Sequence, residues 1–597
     1  MSLWKTIAED SAMRCHTSAT MDINTVQVRL KHEGLSFLTI ALPSFGKDFQ
    51  KSLDQGLVSD DMFLGFKRHA GLPRFLGGFL QNVFRRDSGV LFDEPCIDSI
   101  LAVRQLTLLF SKVLLPCTSS RDEAAMREYI KCEQEVKEKD AALLPFDYEE
   151  FHRMSSLLFA NIFTVIDRMV SNFELVPKHG PGATADKLRG NSKYRQRIWT
   201  DRLERYFPCG EYMFPGPHYY NEDYDDIHFL EPGAELPVRV ITVPKTQKTP
   251  RIIAIEPTAM QYAQQAVLEP LVELIEGDFL LQNLIGFTDQ VPNQDLAREG
   301  SITGSLATLD LSEASDRVSN QLVTTMLSNH PHMAGAVEAC RSRRADVPGH
   351  GVIRLAKFAS MGSALCFPFE AMVFLTCAAL GIESELNTRF TKRSDLQSAL
   401  RGVRIYGDDI IVPVDTVYSV VDTLEHFGAR VGASKSFWIG RFRESCGKEY
   451  YNGHDVSVVK VRRVLPSTRK DAPEVISAVS LRNQLYESGY WGTVQKLDDY
   501  LRGVLKHYPR VAKESSVLGR YSFLGYDQER ECEKLHSPLV KGYVVSSRLP
   551  SDPLDGSGAL LKFFLKRGNQ PVADRNHLER SGRPRAVDIK PRWAKPF

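Results

Sequence analysis

Three carboxylates bound the chemistry this chain can perform. The stretch "RGVRIYGDDIIVPVD", Arg401–Asp415, carries Asp408 and Asp409 side by side between apolar flanks. An unpaired carboxylate in such surroundings is costly, so the pair needs a reason to be there. Val403 and Ile405 alternate with Arg404 and Tyr406, and Ile410, Ile411 and Val412 follow. The pattern predicts a hairpin with Gly407 and Asp408 at its turn, Gly407 supplying the positive φ. Two hard oxygen donors at a hairpin tip suit Mg²⁺ or Mn²⁺. An ordinary solvated Asp-rich turn is the competing reading, and a third ligand decides between them. "SLATLDLSEASDRVS", Ser305–Ser319, supplies it. Leu306, Thr308 and Asp310 share one face of a short strand and Ala307, Leu309 and Leu311 the other, which leaves Asp310 at the strand's end. A helix carrying Val318, Leu322 and Met326 is expected next. Such acids can hold two divalent cations roughly 3.5–4 Å apart, one lowering the pKa of an attacking hydroxyl, the other steadying the leaving oxygen. The substrate class is then a phosphate ester, and specifically a nucleotide.

Phosphate chemistry also needs cations from the protein. "ITVPKTQKTPRIIAIEP", Ile241–Pro257, places Lys245, Lys248 and Arg251 at three-residue spacing in a loop that enters the apolar run Ile252–Ile255. Arg grips a phosphate through two parallel hydrogen bonds, whereas Lys acts as a point charge. A solvated basic turn is the alternative, and the fixed entry into a strand speaks against it.

The elements that must position these groups follow from the rest of the chain. At 597 residues it exceeds one simple core. Hydrophobic residues make up 43% and charged residues 25%, the balance of a globular chain. The net charge of +1 means that any nucleic-acid binding must come from local basic surfaces. Ten cysteines without a CxxC pair, and no secretory signal, predict reduced, structural thiols in a cytosolic protein. The longest apolar run, Phe367–Ile382, is interrupted by Glu370 and is expected to be too short to span a bilayer. The first part reads as helical, with stripes at Ile97, Leu101, Leu108 and at Phe151, Met154, Leu158, Ile162, Val165, Met169. Arg121–Asp140 reads as a solvated charged helix, and Tyr219–Glu235 as an acidic loop. From about residue 294 to 460 strand and helix signals alternate. Asp415 is expected to cap a helix through Val417, Val421, Leu424 and Phe427 that stops at Gly428. Beyond Lys562 the chain is basic, with Arg575, Arg580, Arg583, Arg585, Lys590, Arg592 and Lys595 among prolines, a tail expected to be partly disordered until it meets RNA.

"VPKTQKTPRIIAIEP", "GSLATLDLSEASD", "FASMGSALCFPFE", "IYGDD", "SKSF" and "FRESCGKEYYNGHDV" stand in this order. Together they resemble the RNA-directed RNA polymerase, the replicase beta subunit, of levivirus-type positive-strand RNA bacteriophages. The resemblance covers roughly residues 177–456. It implies an α+β, right-hand polymerase of fingers, palm and thumb, with an antiparallel palm sheet flanked by helices. The implied division is 1–295 for an N-terminal region and fingers, 296–460 for the palm with a fingers insertion near 325–358, and 461–597 for the thumb and tail. Asp310, Asp408 and Asp409 match the family's metal-binding acids, for two Mg²⁺ ions that Mn²⁺ can replace. Lys245, Lys248 and Arg251 match its triphosphate-contacting motif, and Asp316 the position that senses the ribose hydroxyl. Ser360 and Gly362 match the loop that cradles template and nascent pair. Glu370 matches an acid on the following helix, and Lys435 a lysine near the triphosphate, read here as the acid that protonates the leaving pyrophosphate. The implied partners are RNA template and product, ribonucleoside triphosphates, and host translation elongation factors Tu and Ts with a ribosomal protein. No membrane is implied; the implied location is the cytoplasm of the infected bacterium.

One stretch departs from the family. Cys366 stands where a Thr is usual and Pro368 where an acid is usual. Since Pro is tolerated only in a helix's first turn, the helix is expected to begin near Phe367. A reverse transcriptase shares the strand-end Asp and Tyr-x-Asp-Asp hairpin, although Gly407 and the lack of a bulky aromatic near Asp310 favour ribonucleotides. A non-catalytic RNA-binding protein on the same fold would not need to keep all three acids and Lys435. A nuclease or phosphatase would not need the ordered basic motifs.

Overall fold

The computed structural model describes residues 1–547, 551–567 and 587–597. Its α+β class agrees with the sequence reading. Two large apolar cores organise it. One gathers the helices Pro145–Ser171, Thr258–Gly277 and Cys366–Glu385 around the strands Leu306–Asp310 and Asp409–Pro413. The other packs the N-terminal helices, from Trp4 to Val113, against Phe437, Phe442 and the helix pair Ala472–Glu487 and Trp491–Val504. The N-terminal helices thus share a core with residues 437–497.

The central sheet is antiparallel. Asp409–Pro413 runs between Arg404–Tyr406 and Leu306–Asp310. The predicted hairpin forms, with Tyr406 opposite Asp409 and a two-residue loop of Gly407 and Asp408. A positive φ of 61° at Gly407 alone is the type II′ pattern. A Cβ there would stand 2.2 Å from the Phe367 ring, so close packing demands glycine as well. A second, four-stranded sheet joins Arg251–Ile255, Val238–Val243, Arg344–Val347 and Gly351–Arg354, with Val238–Val243 parallel to Arg344–Val347.

Several local expectations are corrected. The helix after Asp310 is split into Ala314–Arg317 and Asn320–Met326. Val318 between them is extended, because Ser319 caps the second helix by accepting from Gln321 N–H. Asp415 lies in a 3₁₀ turn and does not cap the helix Val417–His426. Within Tyr219–Glu235 the chain forms part of the helix Pro217–Asp223, started by Pro217, and the strand His228–Leu230. The helix Ser119–Ala142 is not a solvated rod: Met126, Tyr129, Cys132, Glu133 and Val136 are buried along one side. Cys366–Glu385 begins one residue before Phe367 and runs 20 residues. It and Pro145–Ser171 are therefore long and apolar enough to cross a bilayer, contrary to the reading of the shorter run, yet Cys366–Glu385 is buried almost throughout. In the tail, Lys590 and Arg592 belong to the strand Val587–Ala594, which pairs with Pro538–Ser547. Arg575, Arg580, Arg583 and Arg585 lie outside the described residues.

The hairpin is backed by helix packing without slack. A Cβ on Gly381 would meet the backbone of Val420 at 2.7 Å and of Ser419 at 2.8 Å, where Cys366–Glu385 crosses Val417–His426. Gly381→Val should therefore lower unfolding stability by about 1–3 kcal/mol, the usual cost of overpacking, measured by urea titration.

Candidate active site

Antiparallel pairing sets Asp310 directly opposite Asp409, with Asp408 next to it at the hairpin tip. The far edge of Leu306–Asp310 is occupied by the returning chain. Thr308 and Phe437 exchange backbone hydrogen bonds of 3.0 and 2.8 Å, and Gly432 N–H donates to Asp310 O at 2.8 Å. That pairing delivers Lys435, whose ammonium donates to Asp310 Oδ1 at 2.7 Å. The next hairpin, Phe442–Ser445 with Lys448–Tyr451, turns on Cys446 and Gly447, both at positive φ. Ser445 Oγ donates from there to Asp409 Oδ1 at 3.4 Å. Arg443 is wholly buried beneath, donating to the carbonyls of Leu306, Gly440 and Phe442.

The electrostatics follow from this crowding. Desolvation, then the negative charge of Asp310, raises the Asp408 carboxyl above its ordinary range, although its side chain still reaches solvent at the tip. Desolvation and then Asp408 push Asp409 up to about 6. Burial alone would lower the Lys435 ammonium, but Asp310 beside it raises it on balance. Lys245 is exposed yet closely surrounded. Desolvation, then Arg251 and Lys435, lower it, and Asp408 and Asp310 oppose that. The donor set is thus carboxylate oxygen, with the ammoniums of Lys435 and Lys245 close enough to offset part of its charge. These residues fit a hard divalent cation, although among the described residues no three acidic, His or Cys side chains already stand in a ligating arrangement.

The basic loop joins the strands Val238–Val243 and Arg251–Ile255, and residues from outside the predicted palm fasten it. Thr39 Oγ1 donates to Gln247 Oε1, Cys117 Sγ donates to Thr246 O at 3.2 Å and Arg121 to Gln247 O at 2.8 Å. Two further lysines enter the same electrostatic field. Lys47 interacts with Lys435 and Lys248. Lys112 is pushed down to about 8 by burial and then by Lys245, Lys460, Lys435 and Arg462. The sequence reading missed both, since neither sits in a motif; Lys112 stands in an apolar run and Lys47 on an exposed part of the helix Leu42–Gln55.

Asp316, Ser360, Gly362 and Glu370 form the other wall. Ser360 Oγ donates to Asp316 Oδ1 at 2.8 Å. Gly362, at φ 134°, lets the loop lie on Arg251–Ile255, where Ala254 N–H donates to Met361 O at 2.9 Å. Glu370 is buried, accepts from Ser315 Oγ at 2.7 Å, and is pushed by burial up to about 8. The structure therefore brings the acids, Lys435 and Lys245 to one place. Asp316 and Glu370 flank them, held through Ser360 and Ser315.

Residues 235–514 match the family model described as RNA replicase, beta-chain. Among curated relatives, the RNA-directed RNA polymerase beta chain of Enterobacteria phage fr is 32% identical over 307 residues, 51% of this chain and 49% of that one. The corresponding subunit of Qbeta virus (strain MX1) is 34% identical over 261 residues, 44% and 40% of the two chains. That of Escherichia phage MS2 is 32% identical over 285 residues, 47% and 45%. The matches span about half or less of these relatives' own length. A solved RdRp complex aligns at 11% identity and a TM-score of 0.36, over 70% of this chain and 39% of that one, too slight a likeness to bear on the fold. The family resemblance carried by the motifs is borne out over the matched segment.

Glu370 gives a pH test. Its folded-state pKa near 8 lies above the ordinary carboxylate value. The folded state thus binds more protons than the unfolded one in between, and stability falls as pH rises through that window. Denaturant titrations from pH 5 to 8 should show Glu370→Gln gaining on the parent as pH increases.

Proposed function

On the strength of its similarity to the levivirus RNA replicase beta chains over residues 235–514, we propose that this chain is an RNA-directed RNA polymerase that replicates a positive-strand RNA phage genome. The observation that carries the reading is the opposition of Asp310 to Asp409 beside a Gly407–Asp408 tip, with Lys435 bonded to Asp310. Asp310, Asp408 and Asp409 would hold two divalent cations, Mg²⁺ or Mn²⁺, whose chemistry when bound is to activate the attacking 3′-hydroxyl and steady the leaving oxygen.

The chain's own groups do the rest. Lys245, Lys248 and Arg251 bind and orient the triphosphate from the loop that Thr39, Cys117 and Arg121 fasten. Lys435 gives a proton to the departing pyrophosphate, a contribution of roughly 10²–10⁴ in rate for a general acid. Asp316 accepts from the ribose hydroxyl. Ser360 and Gly362 cradle the template–nascent pair, and Glu370 holds Ser315 on the short helix Ala314–Arg317 beside Asp316. In this reading residues 296–460 are the palm, 325–358 a fingers insertion, 1–295 the N-terminal region and fingers, and 461–597 the thumb and tail. The partners are template and product RNA, ribonucleoside triphosphates and the host elongation factors and ribosomal protein that the resemblance implies, in the cytoplasm of the infected bacterium.

The test is labelled-nucleotide incorporation on an RNA template, with ribonucleotides and deoxynucleotides in separate reactions. The parent should use ribonucleotides. Asp310→Ala and Asp408→Asn should abolish incorporation with the fold intact by circular dichroism. Lys435→Leu should slow single-turnover incorporation by roughly 10²–10⁴. Robust synthesis by either Asp variant removes the site assignment, and preferential use of deoxynucleotides by the parent favours a reverse transcriptase.

A further inference from the structure

A buried lysine beside Asp316 has no role in the mechanism above. Lys357 has a side chain with no solvent exposure. Its ammonium lies 3.1 Å from Asp316 Oδ1, 3.8 Å from Glu133 Oε2, and 3.7 Å from the centroid of the Tyr129 ring. Tyr129 and Glu133 are on the buried side of Ser119–Ala142, a helix that precedes the residues matched by the replicase family model. Burying a lysine is expensive unless it is paired, so this arrangement fixes something.

What it fixes is one carboxylate oxygen. Asp316 Oδ1 accepts from both Lys357 Nζ and Ser360 Oγ. The Tyr129 hydroxyl lies 2.9 Å from Ser360 Oγ. A serine hydroxyl has one proton. Because that proton goes to Asp316, the Tyr129 hydroxyl must donate to Ser360, and burial keeps the phenol protonated by pushing it up to about 12. The result is a one-way relay, Tyr129 to Ser360 to Asp316. The backbone reinforces it: Phe358 N–H donates to Val318 O at 2.7 Å and Asn320 N–H to Ala356 O at 2.9 Å, so the segments bearing Lys357 and Asp316 are stitched on both sides. Glu133 accepts from Ala356 N–H, and Cys132 Sγ donates to Asp316 O at 3.4 Å. Among the described residues no hydrogen bond reaches Asp316 Oδ2, and the side chain keeps 19% exposure.

We propose that Lys357 and Tyr129 are positioning residues for ribonucleotide selection: they pin Asp316 by Oδ1 so that Oδ2 faces the ribose 2′-hydroxyl of the incoming nucleotide. The inference rests on the polymerase reading and on the role of Asp316 within it. It assigns a share of sugar discrimination to a helix outside the matched polymerase segment. A carboxylate free to rotate would accept the 2′-hydroxyl less well, while a 2′-deoxynucleotide, which makes no such bond, would be indifferent to the change.

The experiment uses the full chain as isolated from bacterial cells with its co-purifying proteins. Incorporation efficiency (kcat/KM) is measured for ATP and 2′-deoxyATP on an RNA template, for the parent, Tyr129→Phe and Lys357→Met. Tyr129→Phe keeps the ring over Lys357 and removes only the first donor. The ATP-to-deoxyATP ratio should fall about threefold to tenfold for Tyr129→Phe, the range for one lost hydrogen bond. It should fall tenfold or more, roughly, for Lys357→Met, which loses a charge-assisted one. In both the loss should fall on ATP, with deoxyATP efficiency unchanged. Tyr129→Phe decides the matter if Lys357→Met does not fold. An equal loss for both nucleotides, or an unchanged ratio in folded Tyr129→Phe, overturns this inference and leaves the polymerase reading standing. A parent that incorporates neither nucleotide overturns both.

Discussion

Three carboxylates held at close quarters set the terms that the surrounding strands and helices must meet. Asp310 and Asp409 face each other across a strand pair and Asp408 stands beside them, so at neutral pH the sheet's end carries a charge that folding alone would disperse. Desolvation and mutual repulsion raise Asp408 and Asp409. The fold resists the repulsion by pairing Leu306–Asp310 on both edges, against Asp409–Pro413 and against the chain at Phe437. Below, the buried Arg443 ties the carbonyls of Leu306 and Gly440 together. Lys435 answers one carboxylate directly. The carboxylate oxygens left at the tip are the donor type that a hard divalent cation takes.

The positive side of the site is assembled from farther away. Arg251 and Lys112 repel Lys245, and Lys248 repels Lys47. A hairpin loop bearing such charge would not hold one shape unaided. Contacts from Thr39, Cys117 and Arg121 give it one. The N-terminal helices in turn share a core with Phe437, Phe442 and the helices beyond residue 471. Asp54 accepts from the backbone N–H groups of Ile439 and Gly440, which places the N-terminal region directly under the chain that carries Lys435. Acids and bases are thereby held by the same scaffold from opposite sides.

Local rules made part of this legible in the sequence. A two-residue Gly-Asp loop between β-branched runs specifies its own hairpin, and the apolar strand before Asp310 its own register. The charged stretch Arg121–Asp140 misled because its buried members Tyr129, Cys132, Glu133 and Val136 are outnumbered by solvated charges, so its inner stripe was hidden. The break at Val318 was hidden too, since Val318 remains buried in register with the helix it does not join. Lys357 was invisible for a different reason. Its meaning lies in Glu133, Asp316 and Tyr129, which come from distant segments, and a lone lysine in "LAKFASMG" advertises none of them.

If the acidic cluster is built at a cost that a bound cation removes, the melting temperature of the full chain depends on millimolar Mg²⁺. Binding to the folded state alone raises stability by mass action. Mg²⁺ should raise the melting temperature of the parent. Asp408→Asn, relieved of one charge, should melt at or above the parent without Mg²⁺ and gain little when it is added. A parent indifferent to Mg²⁺, or an Asp408→Asn variant that gains as much as the parent, would contradict it.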